Sequence, residues 1–225
     1  MPAWVGPVAE YMARKGLETT LKIAFFSVLG SAVVGIVLGT LLTIRFLPLR
    51  AAIRLYIEVW RGLPILVTIF IIFFVLPAPP FEIRFSAVTA ASIGLTLWGS
   101  AQIAEATRGA VQSIPREQHD AAAAVGFGWV GRHVYVILPQ ALRRLLPPLV
   151  SLLVNVIQNS TLAALIGAVE LLQAGKLQVE GLQLPPPTGI GQLHAFEIYG
   201  AVMAAFFVIS FPLTRLAAFL ERRLV

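Results

Sequence analysis

Three amide side chains, Asn155, Gln158 and Asn159, recur at i, i+3 and i+4 within an apolar run. That spacing places them on one face of a helix. Polar groups are costly in lipid and turn toward the interior of a bundle. Such a face can line a passage for a zwitterion. Equally, it can hydrogen-bond a neighbouring helix, worth ~0.6–2 kcal/mol per contact. Glu58 with Arg61, and Glu105 with Arg108, share an i, i+3 spacing near the ends of apolar runs. Such pairs fix helix ends at a membrane interface. Glu170 stands at the outer end of the run that carries the amides. There it is either an attractor for a cationic side chain or a surface acid. His119 and His133 have no acidic partners at ligand spacing, and cysteine is absent, so no zinc site is expected and the two read as solvated loop residues or partner contacts. No G-x-x-x-x-G-K-[ST] occurs, so the chain has no cradle for ATP phosphates. No nucleophile stands with a base, and no reaction within the chain, no metal and no cofactor of its own are expected.

The elements that position these residues are apolar. Hydrophobic residues make up 58% of the chain and charged ones 12%, with mean hydropathy +0.85. Soluble domains carry about 25% charged residues, so the expected solvent is a membrane. The net charge of +6 does not mark a nucleic-acid binder, because the basic residues punctuate apolar runs instead of clustering with aromatics. Charges of both signs at Glu10, Arg14, Lys15 and Glu18 precede an apolar run too long for a signal peptide.

A spanning helix needs about 20 apolar residues. Five spans are expected, over 21–44, 58–76, 86–106, 146–168 and 196–220, the second entered through an amphipathic stretch and stopped by Pro77, Pro79 and Pro80. Gly35 and Gly39 in the first span form a small-xxx-small pair suited to close helix packing. The third span, rich in Ala, Ser, Gly and Thr, belongs inside a bundle. Residues 107–145 form a structured polar segment, and 170–194, with Pro185–Pro187, reads as an extramembrane loop. With the N-terminus outside and the C-terminus in the cytoplasm, twelve arginines fall on inner segments against five basic residues on outer ones. That asymmetry fits the positive-inside rule.

The informative segment is 118–149, QHDAAAAVGFGWVGRHVYVILPQALRRLLPPL. Ala121–Ala124 and Gly126 give a small-residue face that another protein can approach. Gly126 and Gly128 permit a tight turn between two short helices. Pro139 breaks the chain, and Pro147–Pro148 restart it. A compact helix–turn–helix of this kind can seat in a cleft of a cytosolic partner and pass on rigid-body motion.

Asp120-Ala121-Ala122, Gly126 and Leu138-Pro139 in this order resemble the EAA loop of ATP-binding-cassette importer permeases, with Asp120 where glutamate is usual. Four further stretches resemble the polar amino-acid branch (His, Glu, Gln, Arg and opine types) of that family: Gly16-Leu-x-x-Thr19-x-Leu21, Glu58-x-x-Arg61-Gly62-x-Pro64, Glu105-x-x-Arg108-Gly109-Ala110, and Leu138-Pro139-Gln140-Ala141-Leu142-Arg143. The tail Leu220-Glu221-Arg222-Arg223-Leu224 does so too, and together they cover nearly the whole chain.

The resemblance implies a single all-α domain with the type I importer permease fold, five transmembrane helices and a cytoplasmic coupling helix, in the inner membrane. It implies a second permease copy or a related permease, two ATPase subunits that bind ATP and Mg, and an external substrate-binding protein. Docking on the ATPase would fall to Asp120, Ala121, Ala122, Gly126, Leu138 and Pro139. Gln102 and Thr161 lie in spans that line the passage in that family, and they join Asn155, Gln158, Asn159 and Glu170 as path residues. Two rivals remain: an ion-gradient-driven transporter or channel subunit, disfavoured by the lack of a central Asp or Glu in the spans, and a non-transporting anchor for a cytosolic ATPase.

Overall fold

A computed structural model describes residues 2–44, 46–185 and 188–224, with residue 224 described by its backbone alone. Arg45 and Pro186–Pro187, used above in the charge asymmetry and the proline-rich loop, lie outside the described residues. Eight helices occur among the described residues: α1 Val5–Leu41, α2 Leu47–Gly62, α3 Ile65–Val75, α4 Ala87–Gln112, α5 Arg116–Ala124, α6 Trp129–Ile166, α7 Leu171–Gln183 and α8 Ala195–Leu224. Of these, α1, α4, α6 and α8 are long and apolar enough to cross a membrane. The broken pair α2–α3 adds a fifth crossing if the two are taken as one span.

Several boundaries differ from expectation. The helix over the first span starts at Val5, not at residue 21. Its charged first half is helical because Glu10 pairs with Arg14 at 3.2 Å and Glu18 with Lys22 at 2.5 Å, both i, i+4. At 37 residues α1 is ~55 Å long, well beyond a hydrocarbon core of about 30 Å. Residues 58–76 are not one helix. Pro64 pushes Leu63 into an extended conformation (φ −83°, ψ 139°), so 58–62 are the last turn of α2. The remaining helix, α3, covers only ~16 Å. In α4, Ser86 caps the start, its Oγ accepting from Thr89 N at 3.1 Å. The same helix continues to Gln112, past residue 106. Pro139, Pro147 and Pro148 do not break α6, which runs unbroken through all three. A wide turn over Arg132–Ile137, with Leu138 N bonded to His133 O, precedes Pro139. It shifts the bonding register just where the proline lacks an N–H. The second helix of the 118–149 segment is therefore long. Finally, 171–183 is a helix where a loop was expected.

The described residues fall into two compact units. In the first (2–27, 65–95, 155–212), the start of α1 packs against α7 and the start of α8 around Val8, Met12, Leu171, Ala174, Val179, Ile198 and Val202. Burying one such side chain stabilises by ~1.5–3 kcal/mol. Gly16 lets α1 approach α7: a Cβ there would sit 2.8 Å from Ala174 Cβ and 2.9 Å from Leu171 Cα. In the second unit (28–64, 96–154 and the chain from 213), Gly35 and Gly39 let the C-terminal half of α1 press on α4, where added methyls would meet Ile103 at 2.6 Å and Thr107 at 2.6 Å. The glycine pair thus serves packing. One cluster there joins Ala110, Val111, Ile114, Ile137, Ala141 and Leu145, with Ile36 of α1 against it. Another joins Leu42 to Ile53 and Ile57 of α2 and Ala104 of α4.

Candidate functional site: the coupling turn and the amide face

α5 starts after Pro115, whose fixed φ suits the entry, and Glu117 in its first turn favours the positive helix end. Ala122 is its buried residue, while Asp120 and Ala121 face outward. The helix ends in a Schellman motif: Phe127 N donates to Ala122 O at 3.1 Å and Gly126 N to Ala123 O at 2.9 Å. The motif needs a left-handed residue, and Gly126 supplies φ +92°. Gly128 is extended (ψ 179°) and starts α6. Gln140 Nε2 donates to Gln118 Oε1 at 3.2 Å and to Val136 O at 2.9 Å, tying α5 to α6. Arg144 Nη1 donates to Ser113 O and Oγ at 2.5 and 2.7 Å, clamping the exit of α4. Leu138 is half-buried and Pro139 exposed on α6. Around the turn, apolar side chains stand in the open: Val125 is 79% exposed, Val130 65% and Tyr135 71%. A rigid, closed turn with an apolar rim is a surface built to be covered.

His119 and His133 are not simply solvated. His133 is buried, its ring stacked on Trp129 with centroids 4.2 Å apart. His119, on α5, lies 6.1 Å from it. Burial holds the His119 imidazole below its ordinary 6.5, Arg132 adds to the effect, and Asp120 opposes it.

Residues 20–225 match the family described as binding-protein-dependent transport system inner membrane component. The chain belongs to that family. Among relatives, it is 41% identical to the probable amino-acid ABC transporter permease protein YckA of Bacillus subtilis (strain 168), over 72% of this chain and 71% of that one. It is 34% identical to the glutamine transport system permease protein GlnP of Escherichia coli (strain K12), over 93% of this chain and 91% of that one. A crystal structure of an amino acid ABC transporter with histidines superposes with a TM-score of 0.80 at 27% identity, covering 97% of this chain and 95% of that one. The MetNI methionine ABC transporter in an inward-facing conformation matches with a TM-score of 0.68 at 21% identity, over 93% and 96%. The fold is the all-α type I importer permease fold. The chain is an inner-membrane permease component of an ABC importer, which sets aside both rivals.

In this permease the three amides share α6. Asn155 and Gln158 are exposed on α6 and Asn159 is half-buried. Their contacts are local: Asn159 Nδ2 donates to Asn155 O at 2.8 Å, and Thr161 Oγ1 to Gln158 O at 2.8 Å. Among the described residues, no hydrogen bond ties this face to another helix. Thr161 lies in the first turn of a tighter 3₁₀ segment, Ser160–Ile166. Gln102 is half-buried on α4.

Glu170 is neither a surface acid nor free to meet a solute. It is 0% exposed. Its Oε2 accepts from Leu172 N at 2.9 Å and its Oε1 from Gln173 N at 2.7 Å, capping α7. The third orphan donor, Leu171 N, bonds Thr20 Oγ1 of α1 at 3.0 Å. Thr20, which sequence reasoning missed, thus anchors α7. Burial raises the Glu170 carboxyl above its ordinary 4.5, against the two backbone bonds.

Of the expected ion pairs, Glu105–Arg108 forms, two-pronged at 2.5 and 3.1 Å. Glu58–Arg61 does not form among the described residues. Both side chains are exposed on the last turn of α2, where water solvates them separately, and an exposed pair gains little. They line a cleft of about 180 Å³ with Arg54, Glu105 and Arg108.

Proposed function

We propose that this permease carries polar amino acids inward by alternating access, driven by a partner ATPase that grips the α5–α6 turn. The observation that carries the coupling role is the turn itself: Gly126 at φ +92° closes it, and Asp120, Ala121, Val125 and Tyr135 stand exposed around it. Asp120, Ala121, Ala122, Gly126, Leu138 and Pro139 form the docking set. The family relatives named for amino acids and glutamine support the solute class. Gln102, Asn155, Gln158, Asn159 and Thr161 line the path, the amides offering donors and acceptors to a zwitterion. Glu170 leaves that set for a capping role.

The complex would hold two permease domains, each one transmembrane domain, two ATPases that bind ATP and Mg, and an external substrate-binding protein. The permease chain has no catalytic role of its own. The charge asymmetry supports an outer N-terminus and a cytoplasmic C-terminus. The test is purification of the tagged chain from its native membrane in mild detergent, with identification of its companions and assay of ATP hydrolysis. A co-purifying ATPase that is lost in Gly126→Val supports the reading. A chain that comes alone under several detergents overturns it.

A further inference from the structure

We propose that His133 is a positioning residue that latches the first turns of α6 to the inner end of α1, so that motion of the α5–α6 turn is delivered to α1. The proposal rests on the coupling role assigned above.

His133 is 4% exposed, although its neighbours Val134 and Tyr135 are 49% and 71% exposed. Its ring meets three parts of the second unit. It stacks on Trp129 of its own helix at 4.2 Å. His119 of α5 lies 6.1 Å away, edge-on. Its Nε2 lies 3.0 Å from Thr43 Oγ1, in the turn beyond α1.

Donor and acceptor chemistry fixes the tautomer. Nδ1 faces the Trp129 carbonyl at 2.8 Å. A carbonyl only accepts, so Nδ1 carries a proton. In the neutral ring Nε2 is then an acceptor, and the Thr43 hydroxyl is the donor it faces. That hydroxyl also lies 2.7 Å from Thr40 O, and its single proton serves one acceptor at a time. The ring therefore competes with the C-terminal turn of α1 for the same proton. A movement that withdraws His133 returns the hydroxyl to Thr40, with no donor left idle. The contact can be made and broken at little cost, which suits a moving joint better than a static brace.

Packing extends the joint. One turn beyond His133, Ile137 lies in the cluster that receives Ile36 of α1. Ile36 and Thr40 are spaced i, i+4 on one face of α1, Thr40 Oγ1 donates to Ile36 O at 2.7 Å, and Thr43 follows in the turn beyond. Gly35 and Gly39 press the same stretch of α1 onto α4. A displacement at His133 thus has a continuous packed route into the helix pair α1–α4.

The test uses the complex in proteoliposomes, reading amino-acid uptake per ATP hydrolysed. Thr43→Val keeps shape and removes the hydroxyl. His133→Phe keeps the stack and removes both nitrogens. Thr43→Ser keeps the hydroxyl. Each of the first two variants lowers the ratio roughly fivefold, the scale of a single side-chain coupling. The double variant is no worse than either single one, and Thr43→Ser stays at the wild-type ratio. Ratios that stay at wild type, or losses that multiply in the double variant, overturn the latch. If the wild-type chain comes without any ATPase, hydrogen exchange on the purified chain reads the latch alone. Thr43→Val must then loosen the amides of Trp129–Ile137, and unchanged protection overturns the proposal.

Discussion

Two turns in this permease share one design and put it to opposite uses. At the end of α5, Gly126 N and Phe127 N close onto Ala123 O and Ala122 O. At the end of α6, Gly167 N and Ala168 N close onto Ala164 O and Ala163 O, both at 3.0 Å. Each turn has a left-handed glycine, φ +92° at Gly126 and +86° at Gly167. Beyond Gly126 come exposed side chains and a bare N-cap, since no side chain caps the start of α6 at Gly128. Beyond Gly167 come Ala168, Glu170 and Leu171, all buried, and a fully satisfied helix start. The motif is therefore neutral to function. The residues beyond the glycine decide whether a turn stays exposed, as the proposed handle does, or becomes an internal joint.

The largest expected effect lies on the buried joint. Glu170→Ala strands the N–H groups of Leu172 and Gln173 in a partly buried site. Losing a cap costs ~1–2 kcal/mol, and leaving buried donors unpaired adds to that. The thermal midpoint of the purified permease should fall clearly, while the fraction that still folds binds the ATPase normally. A folded Glu170→Ala chain that fails to recruit the ATPase would erase the contrast between the two turns.

Matched glycine substitutions separate the turns next. A Cβ meets nothing within 4 Å at either Gly126 or Gly167, so Gly126→Val and Gly167→Val test backbone strain, not collision. A left-handed L-residue costs ~1–2 kcal/mol. Both variants should lose similar stability in thermal unfolding. Only Gly126→Val should reduce ATPase recovery in a pull-down, because only that turn belongs to the proposed docking set. Tyr135→Ala on the exposed rim should have a smaller effect: recovery drops severalfold, with the thermal midpoint unchanged.

The sequence made the exposed handle legible and hid the buried joint, for a physical reason. Asp120 to Pro139 combines a short alanine run, three glycines and a proline, all local signals that act through backbone conformation. The joint at Glu170 depends on Thr20, whose hydroxyl bonds Leu171 across 151 residues of sequence, and no local pattern reveals such a partner. The prolines and glycines of 185–191 masked α7, although Leu171, Ala174 and Val179 already form an apolar helix face. Gly62-Leu63-Pro64 was readable as a break, yet the apolar content on either side outweighed it. His133 lay hidden because a histidine among exposed neighbours gives no periodic signal, and its burial depends on Thr43.

Protons offer the finest discrimination between the turns. His119, beside the handle, has a folded-state value below its ordinary 6.5. Its contribution is present above 6.5 and is lost as pH falls from there through the folded value. Glu170, at the joint, has a folded-state value above its ordinary 4.5. Its contribution is full below 4.5 and is lost as pH rises through the folded value. Acidification from neutral toward pH ~5 should therefore loosen α5 and tighten the start of α7 within one molecule. Hydrogen exchange, corrected for intrinsic rates, would show protection falling at Gly126 and Phe127 while it rises at Leu172 and Gln173. His119→Gln should flatten the first trend and leave the second. If both segments move in the same direction, a global change in stability governs them, and the two turns are not independent.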